Sequence, residues 1–289
     1  MRSIVLSAGM WCVGLAAAQQ LPRSVLWRIT GPGVTGPAYV LGTVHSRDAR
    51  AYQGNDSLWT AMAECAEVVG ELDHDAAAQG GLAVLGAMQM PDGRVLADLY
   101  RKKDLERVRN ALKEHLGLMA LASDRMKPFW SMALLTETLM RNDSALVLDE
   151  AVQARARSIG RAVSGLETMQ EQLAAIDAIP LEDQAAMLLE MVRHDLYRGM
   201  MERMMDAYAR QDLETMHALV RQGGMSGSMD EALLAVRNTR MAERMADRLS
   251  EGCRCFFAVG AAHLPGEGGV LHRLSDLGYT LTPVAEEQP

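Results

Sequence analysis

Two histidines in this chain stand in the same setting. Tyr39-Val40-Leu41 runs into Gly42-Thr43-Val44-His45, and Phe257-Ala258-Val259 runs into Gly260-Ala261-Ala262-His263. Each is an apolar strand-like run, a glycine that permits a tight exit, and a His just past the strand's carboxyl end. A third apolar run, Val68-Val69-Gly70, delivers Glu71 to a comparable place, where a carboxylate without a partner would be costly. Two imidazoles and one carboxylate from separate strand ends suit a divalent metal with positions left open for water and substrate. Such an ion lowers the pKa of bound water and supplies a hydrolytic nucleophile. The plainer reading is that each His makes a local hydrogen bond after a turn.

Positioning those groups requires strands at both ends of the chain. Ser24–Ile29 and Ala38–Leu41 flank Gly31-Pro32-Gly33 and read as a hairpin. Leu58, Trp59, Met62 and Cys65 have the spacing of one buried helix face, and Glu67–Leu72 reads as a short strand. From about Val95 to Ser250 the pattern is mostly helical, broken by a brief extended stretch at Arg161–Ser164. Gly117 and Gly160 are placed to stop helices. Cys255–Val259, a helix over Val270–Leu277 and Thr280–Val284 close the chain. The expected fold is α/β: a mixed sheet formed by N- and C-terminal strands with a long helical insertion. In open α/β sheets the carboxyl edge of the strands is where ligands bind.

The first 18 residues read as an address. Arg2, an apolar run from Ile4 and the closing Ala16-Ala17-Ala18 match a secretory signal peptide too short to span a bilayer. Residues 19–289 are expected to form a single domain with no stable membrane span after signal removal, periplasmic or secreted. That leaves Cys65, Cys253 and Cys255, an odd number in an oxidising compartment. Cys253 and Cys255 stand too close for an easy bond to each other, so Cys65 with one of them is the expected pair. Lys and Arg total 29 against 37 Asp and Glu, so no basic excess exists to hold nucleic acid. Aromatic residues make up 4% of the chain, too few for base-stacking platforms. The 21 methionines against 3 phenylalanines suggest adaptable core filler.

Taken in order, several segments resemble the TraB/GumN family, which is related to the Tiki metalloproteases. They are Leu26-Trp27-Arg28, Leu41–His45, Val69–Asp73, Gly165-Leu166-Glu167-Thr168 with Gln172, Arg237-Asn238, Val259–Gly266 and Leu277-Gly278-Tyr279. The resemblance implies a fold like that of erythromycin esterase-like and haem-binding ChaN-like proteins. It also implies a metal-dependent hydrolytic site of paired G-x-x-H motifs and a Glu. His45, Glu71 and His263 are then candidate ligands of a divalent ion, and Glu71, Glu167, Arg237 and Asn238 candidate catalytic residues. Glu167 reads otherwise as a helix cap, and Arg237 as a solvated or ion-paired residue on a charged helix. Asn238 lies about 100° around the helix from Arg237, so the two need not face one site. Among the other histidines His74 is near enough to touch the site, whereas His115, His194, His217 and His272 read as surface or half-buried. The expected function is an exported metal-dependent hydrolase acting on a peptide or small molecule. The alternatives are a non-catalytic protein that holds haem or a peptide signal, and a degenerate enzyme with a regulatory role.

Overall fold

A computed structural model describes residues 21–53, 56–78, 81–193, 196–222 and 227–284; the expected signal peptide and His194 lie outside them. Six strands form one sheet: β1 (Leu26–Thr30), β2 (Tyr39–Thr43), β3 (Glu67–Gly70), β4 (Ala162–Gly165), β5 (Cys255–Gly260) and β6 (Thr280–Pro283). Their spatial order is β4-β3-β5-β2-β1-β6. The four strands from β4 to β2 run parallel, while β1 is antiparallel to both β2 and β6. Parallel strands covered on both faces need continuous apolar runs. Accordingly β2 is buried at every position, and β5 at all but its last.

The principal helices are α1 (Asp56–Glu64), α2 (Lys102–Leu116), α3 (Pro128–Leu139), α4 (Leu148–Ser158), α5 (Met169–Asp177), α6 (Leu181–Arg193), α7 (Val236–Ser250) and α8 (Val270–Asp276). The expected mixed sheet of terminal strands with helices between them is present. One refinement concerns β4, which joins the sheet from mid-chain as its edge and divides the helical stretch in two. The buried apolar residues form two clusters, each drawing on chain from both sides of β4. One surrounds the sheet and includes Phe256, Phe257, Leu41 and Leu58. The other lies among α2, α3 and α6, around Val108, Leu112, Leu135 and Leu188. Met62, Met241 and Met245 are fully buried in the sheet cluster, as core filler requires.

The cysteine pairing differs from expectation. Cys253 and Cys255 are joined to each other, and Cys65 is free and buried. The Cα atoms of the pair stand 5.3 Å apart, inside the range a disulfide tolerates, so the single intervening residue is no barrier. Cys65 faces the Pro37 carbonyl instead.

Candidate active site at the carboxyl edge of the sheet

Glu71 leaves β3 one residue past its last pair. Its Oε1 accepts from the Gly260 N–H at 2.7 Å, and its Oε2 accepts from Arg237 Nη2 at 2.6 Å and Gln172 Nε2 at 3.2 Å. Burial raises the Glu71 carboxyl, but the His263 imidazole, the Arg237 guanidinium and the Gly260 N–H outweigh it and leave it at about 2. Glu71 is therefore an anion at any ordinary pH. Arg237, on the first turn of α7, also donates to Glu167 through Nε and Nη2, at 3.0 and 2.7 Å. Gln172 of α5 bridges the two carboxylates, since its Nε2 also lies 3.3 Å from Glu167 Oε2. The Glu167 side chain is fully buried and reaches the site only through these two residues. That placement suits holding Arg237 in position.

His263 follows β5 in a short 3-10 turn, Ala261–His263, and is buried. Asn238 donates through Nδ2 to the Gly268 carbonyl at 2.9 Å, which turns its Oδ1 toward His263 Nδ1 at 2.6 Å. An oxygen can only accept, so His263 Nδ1 carries the hydrogen, and in the neutral ring that burial favours Nε2 keeps a lone pair. That lone pair faces Glu71 Oε1 at 3.5 Å. Burial lowers the His263 pKa, Glu71 raises it and Arg237 lowers it again, with a net downward result. Arg237 thus contacts the two carboxylates and Asn238 the imidazole.

The other G-x-x-H motif behaves differently. Parallel register pairs Gly42 with Val259 and Thr43 with Gly260, so the two motifs are one residue out of step. The second coils at once into its 3-10 turn, while the first stays extended through Thr43. His45 consequently emerges exposed, with 74% of its side chain open, and points Nδ1 at Asp149 Oδ2 at 3.6 Å. The neighbouring Asp149 carboxylate raises the His45 pKa. The Thr43 hydroxyl donates to the other Asp149 oxygen. Oδ2 of Asp149 is buried and has no hydrogen-bond partner.

His45 and Glu71 line one cleft of about 490 Å³, together with Asp149, Arg237, Gln172 and His74. Phe129 and Trp130 of α3, Leu173 and Ile176 of α5, and Leu233 give it an apolar wall. His263 stands behind Glu71. Among the described residues, the group of three His, Cys, Asp or Glu ligand atoms lying within 4.8 Å of one another is Glu67, Cys253 and Cys255, not His45, Glu71 and His263. The structure therefore brings Glu71 and His263 together and sets His45 apart on the same cleft. The donors still suit a cation: a neutral imidazole lone pair faces a carboxylate, and an orphaned carboxylate oxygen lies on the same cleft.

The glycines act through space more than through turns. A Cβ on Gly260 would lie 3.1 Å from Glu71 Oε1, and one on Gly42 would lie 2.9 Å from Leu264 Cδ1 and 3.0 Å from Ala261 Cα. Gly260 itself has an ordinary φ of −53°, so close approach of the carboxylate is what demands glycine there. Asp149 escapes sequence reasoning because an acid in the first turn of a helix reads as dipole compensation. Its partners Thr43 and His45 lie more than a hundred residues away.

The TraB/PrgY/gumN family model matches residues 25–283. Among curated proteins the chain is similar to Metalloprotease TIKI2 of Danio rerio, 24% identical across 94% of this chain and 63% of that protein. The chain thus spans less than two thirds of that relative's length. No solved structure matches it. The match covers the strands that carry both G-x-x-H motifs and the helices between them: this chain belongs to the TraB/PrgY/gumN family.

Proposed function

We propose that the protein is an exported metal-dependent hydrolase that cleaves peptide or related amide bonds in this cleft. The observation that carries the reading is His263 Nε2 facing Glu71 Oε1 at 3.5 Å beside a cleft that His45 also lines. Similarity to a metalloprotease supports the reaction class. Glu71 and His263 would hold a divalent ion, with His45 and Asp149 as further ligands from the opposite wall. Such an ion supplies a nucleophilic water at neutral pH and polarises a carbonyl.

The chain's own residues do the remaining work. Arg237 and Gln172 fix Glu71 as an oriented anion, and Asn238 fixes the His263 tautomer. Phe129, Trp130, Leu173 and Ile176 would seat an apolar side chain of the substrate. Export rests on the leader at residues 1–18 and on the Cys253–Cys255 disulfide. No helix among the described residues is long and apolar enough to cross a membrane.

Metal analysis of the purified protein tests this directly. About one divalent ion per chain is expected at the cleft, with the His45→Ala/His263→Ala double variant losing it together with peptide cleavage. A chain that takes up no ion at these residues on titration, with stability unchanged by chelator, would refute the metal reading. Saturable peptide binding without turnover would instead make the cleft a ligand-holding site.

A further inference from the structure

The far end of the same two strands carries a second cluster. Glu67 opens β3, Cys255 opens β5, and the parallel register pairs them directly. Cys253 completes the group: its Sγ lies 3.8 Å from Glu67 Oε2, and Cys255 Sγ lies 3.9 Å from the same oxygen. The other carboxylate oxygen is tied down, accepting from Arg248 Nη1 at 3.1 Å and from the Ser164 hydroxyl. The carboxylate is therefore held with one oxygen committed to the protein and the other presented to both sulfurs. Anchoring of this kind orients the ligands of a metal. Cys255 is buried, while Cys253 and Glu67 are half-buried, so the cluster meets solvent on one side.

We propose that Cys253, Cys255 and Glu67 form a thiol-gated site for a thiophilic divalent cation of the zinc type. In a tetrahedral zinc site with sulfur at about 2.3 Å and oxygen at about 2.0 Å, sulfur and oxygen ligands stand about 3.5 Å apart. The sulfur–oxygen spacings here need only small closure, while the two sulfurs, bonded in this structure, part to about 3.8 Å once reduced. The sulfur–sulfur bond shuts the site. A dithiol reductant opens it, becoming a disulfide itself as the two cysteines become thiols. The cation then displaces one proton from each thiol. Two thiolates and one carboxylate against a dication leave one negative charge, which Arg248 faces. A fourth position stays open on the solvent side. Cys65 takes no part, being buried against the Pro37 carbonyl.

Cadmium titration of the full chain, oxidised and reduced, reads the site through the ultraviolet charge-transfer absorbance of a cadmium–thiolate bond. An ion in the cleft has only nitrogen and oxygen ligands and gives no such band, so the outcome is independent of the hydrolase reading. The reduced chain should develop the band to a single equivalent and the oxidised chain should not. Cys253→Ser should abolish it, Glu67→Gln should weaken binding about tenfold or more, and Cys65→Ser should leave it unchanged. If a variant fails to fold, the oxidised and reduced forms of the unaltered chain decide alone. A reduced chain without the band, or a band that survives in the Cys253→Ser/Cys255→Ser variant, overturns the proposal.

Discussion

Asn238 shows how one amide sets the chemistry of its neighbour. The Gly268 carbonyl takes its N–H, so its oxygen has only the His263 Nδ1 proton to accept. Replacing it with alanine leaves that buried N–H unpaired, at a cost of about 1–3 kcal/mol. Urea denaturation of Asn238→Ala should show a lower midpoint with unchanged slope; an unchanged midpoint would contradict the assigned tautomer. Arg237 plays the equivalent part for the anions, and its neighbour Arg240 adds a weaker contact to Glu167 at 3.7 Å. At this scale the sequence was most legible where a residue type is expensive unless used. A Glu at the end of a buried strand demanded a partner, and Arg237 is that partner. The pairing of His45 with Asp149 was not legible, because nothing local distinguishes a first-turn acid that faces a cleft from one that faces water. The disulfide was misread for a related reason, since the backbone torsions at the intervening Arg254, which decide whether the two cysteines meet, leave no mark in the sequence.

Between elements, Gln153 of α4 ties the loop after β3 to the helix. Its Nε2 donates to the Leu72 carbonyl at 2.6 Å, and its Oε1 accepts from the His74 N–H at 3.1 Å. The exit that aims Glu71 into the cleft is therefore clamped from outside the strand, and Gly70 is a glycine because a Cβ would sit 2.5 Å from this amide. Gln153→Leu should cost about 1–3 kcal/mol for each polar group it strands, and should lower metal retention at the cleft by displacing Glu71; chemical denaturation and metal analysis measure the two effects. A second clamp is sensitive to acid. Glu171 closes the capping box of α5 with Thr168 and pairs with Arg244 of α7 at 2.7 Å. The Arg244 bond is the largest influence holding its carboxyl down from 4.5 to about 2. A depressed carboxyl stabilises the fold above its unfolded value and loses that contribution as pH falls from 4.5 toward about 2. Glu171→Gln should be less stable than the parent near neutrality, with the gap closing across that acid window in melting curves. A gap independent of pH would refute this. The elements themselves were readable from apolar runs and helix spacing. Their register was not, and the one-residue offset between the two G-x-x-H motifs is what keeps the histidines from converging.

Across the whole molecule, terminal strands supply the central sheet while the intervening helices build a second core around Leu112, Leu135 and Leu188. The order of strands and helices was legible because each carries its own periodicity. The split into two apolar clusters was not, because helix spacing tells which face is buried without telling against what. Cys65 provides a probe of the sheet cluster. It is fully buried, and burial, reinforced by Glu64, pushes its thiol up to about 12. With the disulfide intact, alkylation of Cys65 should proceed only through opening of the fold and accelerate along the denaturation curve. Reaction at the rate of a free thiol in native buffer would show that this cluster is open. The cleft joins the two parts of the chain unequally. Its His45 and Glu71 come from strand exits, whereas Phe129, Trp130, Leu173 and Ile176 come from helices. Under the proposed hydrolysis, the fit of a substrate and its cleavage draw on different stretches of chain. The apolar lining on α3 can vary without touching Glu71, whereas α5 is bound to that carboxylate through Gln172.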